Sequence, residues 1–308
     1  MQKHLTALTL AAGIAFFSSL PAKAQLIAYD GFDMSVAEGT SIGNTTGGAT
    51  SFGWANSWRN TPTGLYSNVS LSYTDGHGNT LATTGGSFFE TSGYQQRTMS
   101  GIGATTTGTY WISFLFDSIG PIDAGYPTGP AYTRQMNFGL FPNNNERFDV
   151  GRPNFASYAG TPYDTWTGWN ANGDGSNPAG TPYVPTANHA LNPTTFVVME
   201  IVLDGTTGYD NAYVWFNPNL DATLTPGSAD IASVGHTDLN NSAGNLQFRI
   251  NANSASGVYT NAQIWFDELR VGNTFADVAP IAPVPEPASM TLAGLAGAAL
   301  LTIARRRK

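Results

Sequence analysis

The chain has 308 residues, of which 35 are glycine, 18 are proline and only 11% are charged, and it contains no cysteine. A chain of this length buries a substantial core, and its turn-rich composition favours an all-β fold over a helical bundle. The lack of cysteine excludes disulfides, thiolate metal sites and a cysteine nucleophile. Residues 25–283 contain seven arginines, no lysine and twenty acidic residues, a formal charge of −13. This charge argues against nucleic acid and anionic lipid as partners, because both require clustered cations.

The first 24 residues have the three-part pattern of a secretory signal peptide. Lys3 is the basic residue, an apolar stretch follows over residues 5–20, and Ala22 and Ala24 are the small residues that a signal peptidase reads. We therefore predict a signal helix that is cleaved before Gln25. An uncleaved transmembrane anchor is the alternative, which so short an apolar run suits less well.

Short segments with alternating apolar and polar side chains follow, bounded by Gly, Asn, Asp or Pro. A period of two is typical of half-buried strands. The predicted strands are 68–75, 109–117, 195–204, 212–218, 245–252 and 262–272. No stretch shows a sustained helical period with caps. Residues 25–280 are therefore predicted to form one domain, an antiparallel two-sheet sandwich.

Residues 151–190 contain no convincing strand and are far longer than an ordinary loop, which is typical of a functional or mobile loop. The sequence AGTPY occurs in it twice, at 159–163 and 179–183. Aromatic rings beside Asn and Asp stack on sugars while the polar groups bind hydroxyls. The candidate ligand-binding residues are Tyr158, Tyr163, Trp166, Trp169 and Tyr183. The alternative is that these aromatics pin the loop onto the edge of the sandwich.

The same loop contains the one plausible metal site, although no cofactor is required. Asn170, Asn172 and Asp174, followed by Gly175, imitate the start of an EF-hand Ca²⁺ loop, but Thr181 stands at the glutamate position. A solvated turn is the alternative to a Ca²⁺ site. The histidines His77, His189 and His236 are scattered along the chain and do not suggest a zinc site.

The C-terminal 28 residues, 281–308, end in an apolar run and a basic cluster. Residues 288–304 contain no charge over seventeen residues, about the minimum for a transmembrane helix. The cluster of Arg305, Arg306, Arg307 and Lys308 keeps this end cytoplasmic. Pro285 and Pro287 hold Glu286 in an extended segment that cannot join the helix.

This tail, Val284-Pro285-Glu286-Pro287 followed by the apolar run and the basic cluster, resembles the PEP-CTERM sorting signal of Gram-negative, exopolysaccharide-producing bacteria. The resemblance implies that an exosortase, a membrane enzyme, recognises the motif and processes the tail after a transient inner-membrane stage. The protein is then expected at the cell surface or in the extracellular matrix. A permanent C-terminal anchor is the alternative.

The segments LIAYDGFD (26–33), GWANSW (53–58) and IWFDELRVGNTFADVAP (264–280) are similar to those of concanavalin A-like, laminin-G-like jelly rolls. The resemblance implies a jelly-roll sandwich in which the FDELRVG strand lies in the core near the N-terminal strand. Such domains include glycan binders, protein binders and glycosidases.

Catalytic motifs are not found. A glycosidase needs two carboxylates about 5–9.5 Å apart, and the Glu-x-Asp-x-x-Glu strand of jelly-roll glucanases is missing. Asp267 and Glu268 are adjacent, so a regular strand points them to opposite faces. Ser41 in GTSIG matches a nucleophile elbow in letters, but no helix is predicted to follow, so we interpret it as a turn residue.

Three functions remain: a polysaccharide-binding module, a structural matrix protein and, as the alternative from another class, a polysaccharide-active enzyme such as a glycoside hydrolase. The first two are favoured because no catalytic residues are recognised. The expected partners are signal peptidase, an exosortase-type enzyme and extracellular polysaccharide, and no nucleic acid.

Overall fold

The computed structural model describes residues 25–59, 63–90, 93–103, 106–119, 134–152, 166–170, 181–183, 194–205, 210–237, 239, 245–254 and 263–283. Within these ranges the chain is almost entirely β. The strands are β1 (Leu26–Asp30), β2 (Gly64–Ser67), β3 (Ser87–Glu90), β4 (Gly93–Gly103), β5 (Gly108–Ile119), β6 (Arg134–Pro142), β7 (Phe148–Arg152), β8 (Thr167–Asn170), β9 (Thr181–Tyr183), β10 (Thr195–Leu203), β11 (Asp210–Phe216), β12 (Ile231–Thr237), β13 (Asn245–Ser254) and β14 (Gln263–Gly272). A 3₁₀ turn spans Pro226–Ser228, and a four-residue helix, α1, spans Phe275–Val278.

The strands form two antiparallel sheets. The eight-stranded sheet has the order β12-β11-β10-β5-β14-β3-β2, with β1 added beside β14, and the six-stranded sheet has the order β4-β13-β6-β7-β8-β9. Neighbours in space are often distant in sequence, as in a jelly roll. The predicted fold class, an antiparallel jelly-roll sandwich, is confirmed.

The main core lies between the two sheets. Phe114 of the eight-stranded sheet packs on Phe138 of the six-stranded sheet, with ring centroids 4.4 Å apart, and Phe266 stacks on Phe138 at 5.9 Å. Alternate residues of β5 and β10 supply much of this core. They are Ile112, Phe114 and Phe116 of β5 and the odd-numbered residues 197–203 of β10. Burying a large side chain of this kind stabilises the fold by about 1.5–3 kcal/mol.

A second apolar cluster covers the outer face of the eight-stranded sheet. Trp111 stacks on Trp215 at 5.4 Å, and α1 packs there through Phe275. Ser113 donates a hydrogen bond of 2.7 Å to the carbonyl of Val278. Both faces of this sheet are therefore buried over its central strands, which explains why β5 and β10 are apolar at almost every position.

Two sequence expectations on strands are wrong. Residues 68–75 form no strand: Leu71 and Tyr73 are buried in the second cluster, but the segment makes just an isolated bridge from Thr74 to Thr80 and lies over the sheet instead of joining it. Residues 151–190 are not free of strands, because β8 and β9 extend the six-stranded sheet. Short strands with Gly and Pro lack the apolar alternation on which the prediction depended.

The predicted neighbourhood of the FDELRVG strand and the N-terminal strand is confirmed, since β14 pairs with β1. The strand is not regular at Asp267 and Glu268, however. The register against β5 shifts between Asp267 and Arg270, and Glu268 has a φ of 57°. This bulge lies where β14 passes from β3 to β1 as its neighbour. The expectation of opposite faces, which assumed a regular strand, therefore does not apply.

Buried carboxylates hold the loops near the β14 bulge and β1. Glu268 accepts hydrogen bonds from Tyr29, Thr84 and Arg270. Asp30 accepts from the indole of Trp58, from two backbone N–H groups and from the guanidinium of Arg97. Each of these carboxylates is fully buried and has several donors, so we assign them a structural role.

Candidate functional site

Trp166, expected as a sugar-stacking residue, is in the core. Its side chain is fully buried, with ring centroids 4.8 Å from Phe116 and 5.1 Å from Phe216. Its indole N–H donates to Thr195 Oγ1 at 3.3 Å. A ring enclosed in this way cannot stack on a ligand at the surface. The ligand-binding prediction is therefore wrong for Trp166, and the alternative, that it pins the start of β8 to the sandwich, holds.

Most of the other predicted site residues lie outside the described residues. Tyr158, Tyr163, Asn172 and Asp174 are among them, as are residues 1–24, which are predicted to be a signal peptide, and the tail from residue 284 onward. Trp169 and Asn170 belong to β8 and Tyr183 to β9 by their backbone, but their side chains lie outside the described part. The calcium site and the four aromatic residues stay predictions. No helix among the described residues is long and apolar enough to cross a membrane.

The outer face of the six-stranded sheet is very different from that of the eight-stranded sheet, and we call it the polar face. It is formed by the side chains that alternate with the core residues of β4, β13, β6 and β7. These are Tyr94, Gln96, Asn137, Phe141, Asp149, Gln247, Arg249 and Asn251. One row of paired residues crosses five neighbouring strands, and it contains Gln96, Arg249, Gly139, Asp149 and Trp169.

Arg249 lies on the polar face between Gln96 of β4 and Gly139 of β6. Its guanidinium carbon is 4.3 Å from the ring centroid of Tyr94 and 3.9 Å from that of Phe141. Its Nε and Nη2 donate to Gln96 Oε1 at 3.0 and 2.7 Å. Burial, together with the positive charge of Arg59, lowers the pKa of Arg249, whereas Glu146 and Asp149 raise it. Two aromatic rings and one amide thus fix the plane of the guanidinium.

Amide side chains continue the array beside Arg249. Gln96 Nε2 donates to Gln247 Oε1 at 2.7 Å and to Asn144 Oδ1 at 3.2 Å. Gln247 Oε1 also accepts from the backbone N–H of Asn144 at 3.1 Å. Gln96 and Gln247 are half-buried, and Asn144 is exposed in the turn between β6 and β7. The array is therefore fixed in position while part of it contacts solvent.

A buried acid lies on the same face. Asp149 is fully buried, and its Oδ1 accepts from the amide of Asn137. Burial raises the pKa of the Asp149 carboxyl well above its usual value, and the negative charge of Glu146 raises it further. Its Oδ2, like Oδ1 of Asn137, is buried with no hydrogen-bond partner in the described structure. Gly139 makes room for this acid, because a Cβ there would overlap Asp149 Oδ1.

A second cluster lies at one end of the sandwich. The ligand atoms of Asp75, His77 and Asp221 lie within 4.8 Å of one another. His77 Nδ1 is 2.9 Å from Asp221 and its Nε2 is 3.1 Å from Asn219 Nδ2, so the histidine links two loops. The Asp75 carboxylate accepts four hydrogen bonds of 2.8–3.1 Å from protein groups. These bonds use its lone pairs, and the cluster is therefore a loop anchor instead of a metal centre.

A groove of about 510 Å³ adjoins this cluster. Ser72, Tyr73, Thr74, Gly76, Thr194 and Asn217 line it. Tyr73 is buried against Phe196, and the lining offers mainly hydroxyl and amide groups. It presents no exposed aromatic ring or charged group from the described residues, so the polar face is the better candidate site.

Arg249 and Gln96 are not recognisable as site residues from the sequence alone, although the predicted strand 245–252 is confirmed as part of β13. Gln247, Arg249 and Asn251 alternate with Leu246, Phe248 and Ile250, which is the signal of a strand with one polar face. That pattern shows which side chains point outward, but not that β4 and β13 are neighbours. The placement of Gln96 beside Arg249 therefore required the structure.

Comparisons with known proteins identify the tail. The model of the PEP-CTERM protein-sorting motif matches residues 283–308, so the chain carries this motif at its C-terminus, as the resemblance of Val284 to Pro287 predicted. A comparison with curated protein sequences gives no match.

Solved structures with a similar fold are distant in sequence. They include the botulinum neurotoxin type G receptor binding domain (TM-score 0.41, 8% identity, 83% of this chain and 50% of that chain). Domain 4 of AbnA, a GH43 extracellular arabinanase from Geobacillus stearothermophilus, in complex with arabinotriose, has a TM-score of 0.39 at 12% identity, over 83% of this chain and 98% of that chain. An endo-1,3-beta-glucanase from Streptomyces sioyaensis has a TM-score of 0.40 at 9% identity, over 82% and 98%. The present chain thus spans half the length of the neurotoxin chain. At these identities the likeness carries no information on a ligand or an activity.

Proposed function

We propose that this protein is a secreted β-sandwich, sorted to the cell surface or extracellular matrix through its C-terminal motif, which binds extracellular polysaccharide on its polar face without catalysis. Signal peptidase and an exosortase-type enzyme are the proposed processing partners. The PEP-CTERM motif supports the sorting. The polar face supports the binding.

The observation that carries the binding proposal is the difference between the two outer faces. α1 and the loops around Leu71 and Leu220 cover the outer face of the eight-stranded sheet with apolar side chains. The polar face instead carries the fixed and partly exposed array of Gln96, Gln247 and Arg249. Amides and a planar guanidinium that are already held in place bind sugar hydroxyls with little loss of side-chain entropy.

The test is retention of the purified full chain on a panel of insoluble polysaccharides. Gln247→Ala removes the acceptor that links Gln96 and Asn144, and it should weaken retention about 5- to 10-fold, as expected for one lost hydrogen bond and its neighbour. Asn68→Ala, an exposed amide beside the eight-stranded sheet, is the matched control and should bind like the wild type. If a folded wild-type chain is retained by no polysaccharide, the binding proposal is wrong and a structural matrix role gains support.

A glycoside hydrolase is the second candidate function, and the burial and raised pKa of Asp149 favour it. A buried carboxyl with a raised pKa is a suitable general acid. Glu146, whose negative charge raises the pKa of Asp149, would be the second carboxyl. The test is release of reducing ends from the retained polysaccharide by the wild type and by Asp149→Asn. Turnover by the wild type that Asp149→Asn abolishes would establish an enzyme, whereas retention without turnover would support the non-catalytic proposal.

A further inference from the structure

Four arginines among the described residues, Arg59, Arg97, Arg249 and Arg270, are found in two kinds of environment. Arg97 and Arg270 are buried, and each forms an ion pair with a buried carboxylate, Asp30 and Glu268 respectively. Their charges are neutralised inside the protein. They hold loops in place and are not accessible to a ligand.

Arg249 is different because its direct hydrogen bonds go to a neutral group. Both of its bonded nitrogens donate to the amide oxygen of Gln96, and its Nη1 has no hydrogen bond within the described ranges. The negative charges of Glu146 and Asp149 also attract it, and the effect of Glu146 on the pKa of Arg249 is larger than that of Arg59. Burial and the negative charge of Glu146 raise the pKa of Asp149.

A second cation lies next to Arg249. The guanidinium carbon of Arg59 is 4.1 Å from the ring centroid of Tyr94, which is the same ring that Arg249 contacts at 4.3 Å. The charge of Arg59 lowers the pKa of Arg249, so the two guanidinium groups repel each other. Arg59 is exposed and Arg249 is half-buried. An anion placed beside Tyr94 would relieve this repulsion.

Arg59 and Arg249 lie close together in a domain whose net charge is strongly negative. The domain has seven arginines against twenty acidic residues and no lysine, and among the described side chains Arg97 and Arg270 are neutralised in buried pairs. At physiological ionic strength, charges more than about 8 Å apart are largely screened. The groups around Arg249, which are Glu146, Arg59 and Asp149, and not the net charge of the domain, therefore determine what an anion experiences at this face.

We propose that the polar face selects acidic polysaccharide, with a sugar carboxylate bound by the guanidinium of Arg249 beside Tyr94. This inference rests on the proposed polysaccharide binding and names its ligand class. The guanidinium supplies charge-assisted hydrogen bonds to the carboxylate, and Gln96 and Gln247 supply neutral hydrogen bonds to neighbouring hydroxyls. Nucleic acid and anionic membranes, which carry dense phosphate charge, require a wider field of cations than one arginine pair.

The experiment compares two forms of one polymer, polygalacturonate and its methyl ester, which share a sugar backbone and differ in the free carboxylate. The full chain should bind polygalacturonate at least about tenfold more tightly than the ester, since a charge-assisted hydrogen bond has that effect. Arg249→Gln should remove this preference, and Arg249→Lys, which keeps the charge, should retain part of it. Asn68→Asp changes the net charge by the same amount as Arg249→Gln, but away from the polar face, and should bind like the wild type. Near-UV circular dichroism verifies the fold of each variant.

Equal affinity for the two polymers, or an unchanged preference in a folded Arg249→Gln variant, overturns the inference. Polysaccharide binding itself would still stand in either case. If neither polymer is bound while neutral polysaccharides of the panel retain the chain, the inference is wrong and the proposed function survives. If no polymer retains the folded chain, both are wrong.

Discussion

Replacement of Trp166 distinguishes a core residue from a ligand-binding residue. A tryptophan buries about 150–250 Å², which at about 25 cal/mol per Å² corresponds to about 4–6 kcal/mol. Measured Trp→Ala substitutions in cores cost about 3–5 kcal/mol. Because the Trp166 side chain is fully enclosed, we expect Trp166→Ala to destabilise the protein by about 3–5 kcal/mol.

The assay is thermal and chemical unfolding followed by circular dichroism. For a domain of this size the loss corresponds to a fall in Tm of roughly 6–20 °C. Trp166→Phe keeps the contacts with Phe116 and Phe216 but loses the hydrogen bond to Thr195, and it should cost about 1–2 kcal/mol. If Trp166→Ala changed stability by less than about 1 kcal/mol yet abolished polysaccharide retention, Trp166 would be a surface ligand residue and the buried placement would be refuted.

Three further predictions concern a buried ion pair, a buried acid and the sorting motif. Asp30→Asn leaves the charge of Arg97 buried without its partner. The substitution should lower the free energy of unfolding, measured with denaturant, by about 3–5 kcal/mol. A loss below about 1 kcal/mol would contradict the stabilising role of this ion pair. Because the pKa of Asp149 is raised in the folded state, wild-type stability should fall as pH rises from about 4 through that pKa. Asp30, Glu200, Asp267 and Glu268 also have raised pKa values, so Asp149→Asn should show a smaller fall in unfolding curves between pH 4 and 8, and an identical pH slope in both proteins would disprove it. Glu286→Ala should leave the protein in the inner membrane with its tail intact, and fractionation that finds a processed tail at the surface would exclude this sorting route.

The sequence predicted the strands well where short apolar segments are bounded by turn residues. β5, β10, β11, β13 and β14 were all expected, because one face of each carries apolar residues at a period of two, although β5 and β10 are apolar on both faces. The prediction was wrong for 68–75, where the same alternation belongs to a segment that packs on a sheet without joining it. Periodicity reports which side chains are buried, and it does not report whether the backbone pairs with a neighbour.

The candidate site was much harder to predict. Trp166 was chosen for its residue type, but an aromatic ring in a long segment fills a core as readily as it binds a ligand. Arg249 and Gln96 are 153 residues apart and meet because β4 and β13 are neighbours. No local pattern encodes that pairing, so the polar face becomes visible when the sheet order is known.

The most direct test of the central claim locates the bound polysaccharide on the molecule. Arginine-specific labelling with phenylglyoxal, read by mass spectrometry, should modify Arg59 and Arg249 in the free protein, because both are at least partly exposed. It should leave Arg97 and Arg270 unmodified, because they are buried in ion pairs. Saturating polysaccharide should protect Arg59 and Arg249. Retention of the polysaccharide with no protection of either arginine would place the binding site elsewhere and contradict the account of the polar face.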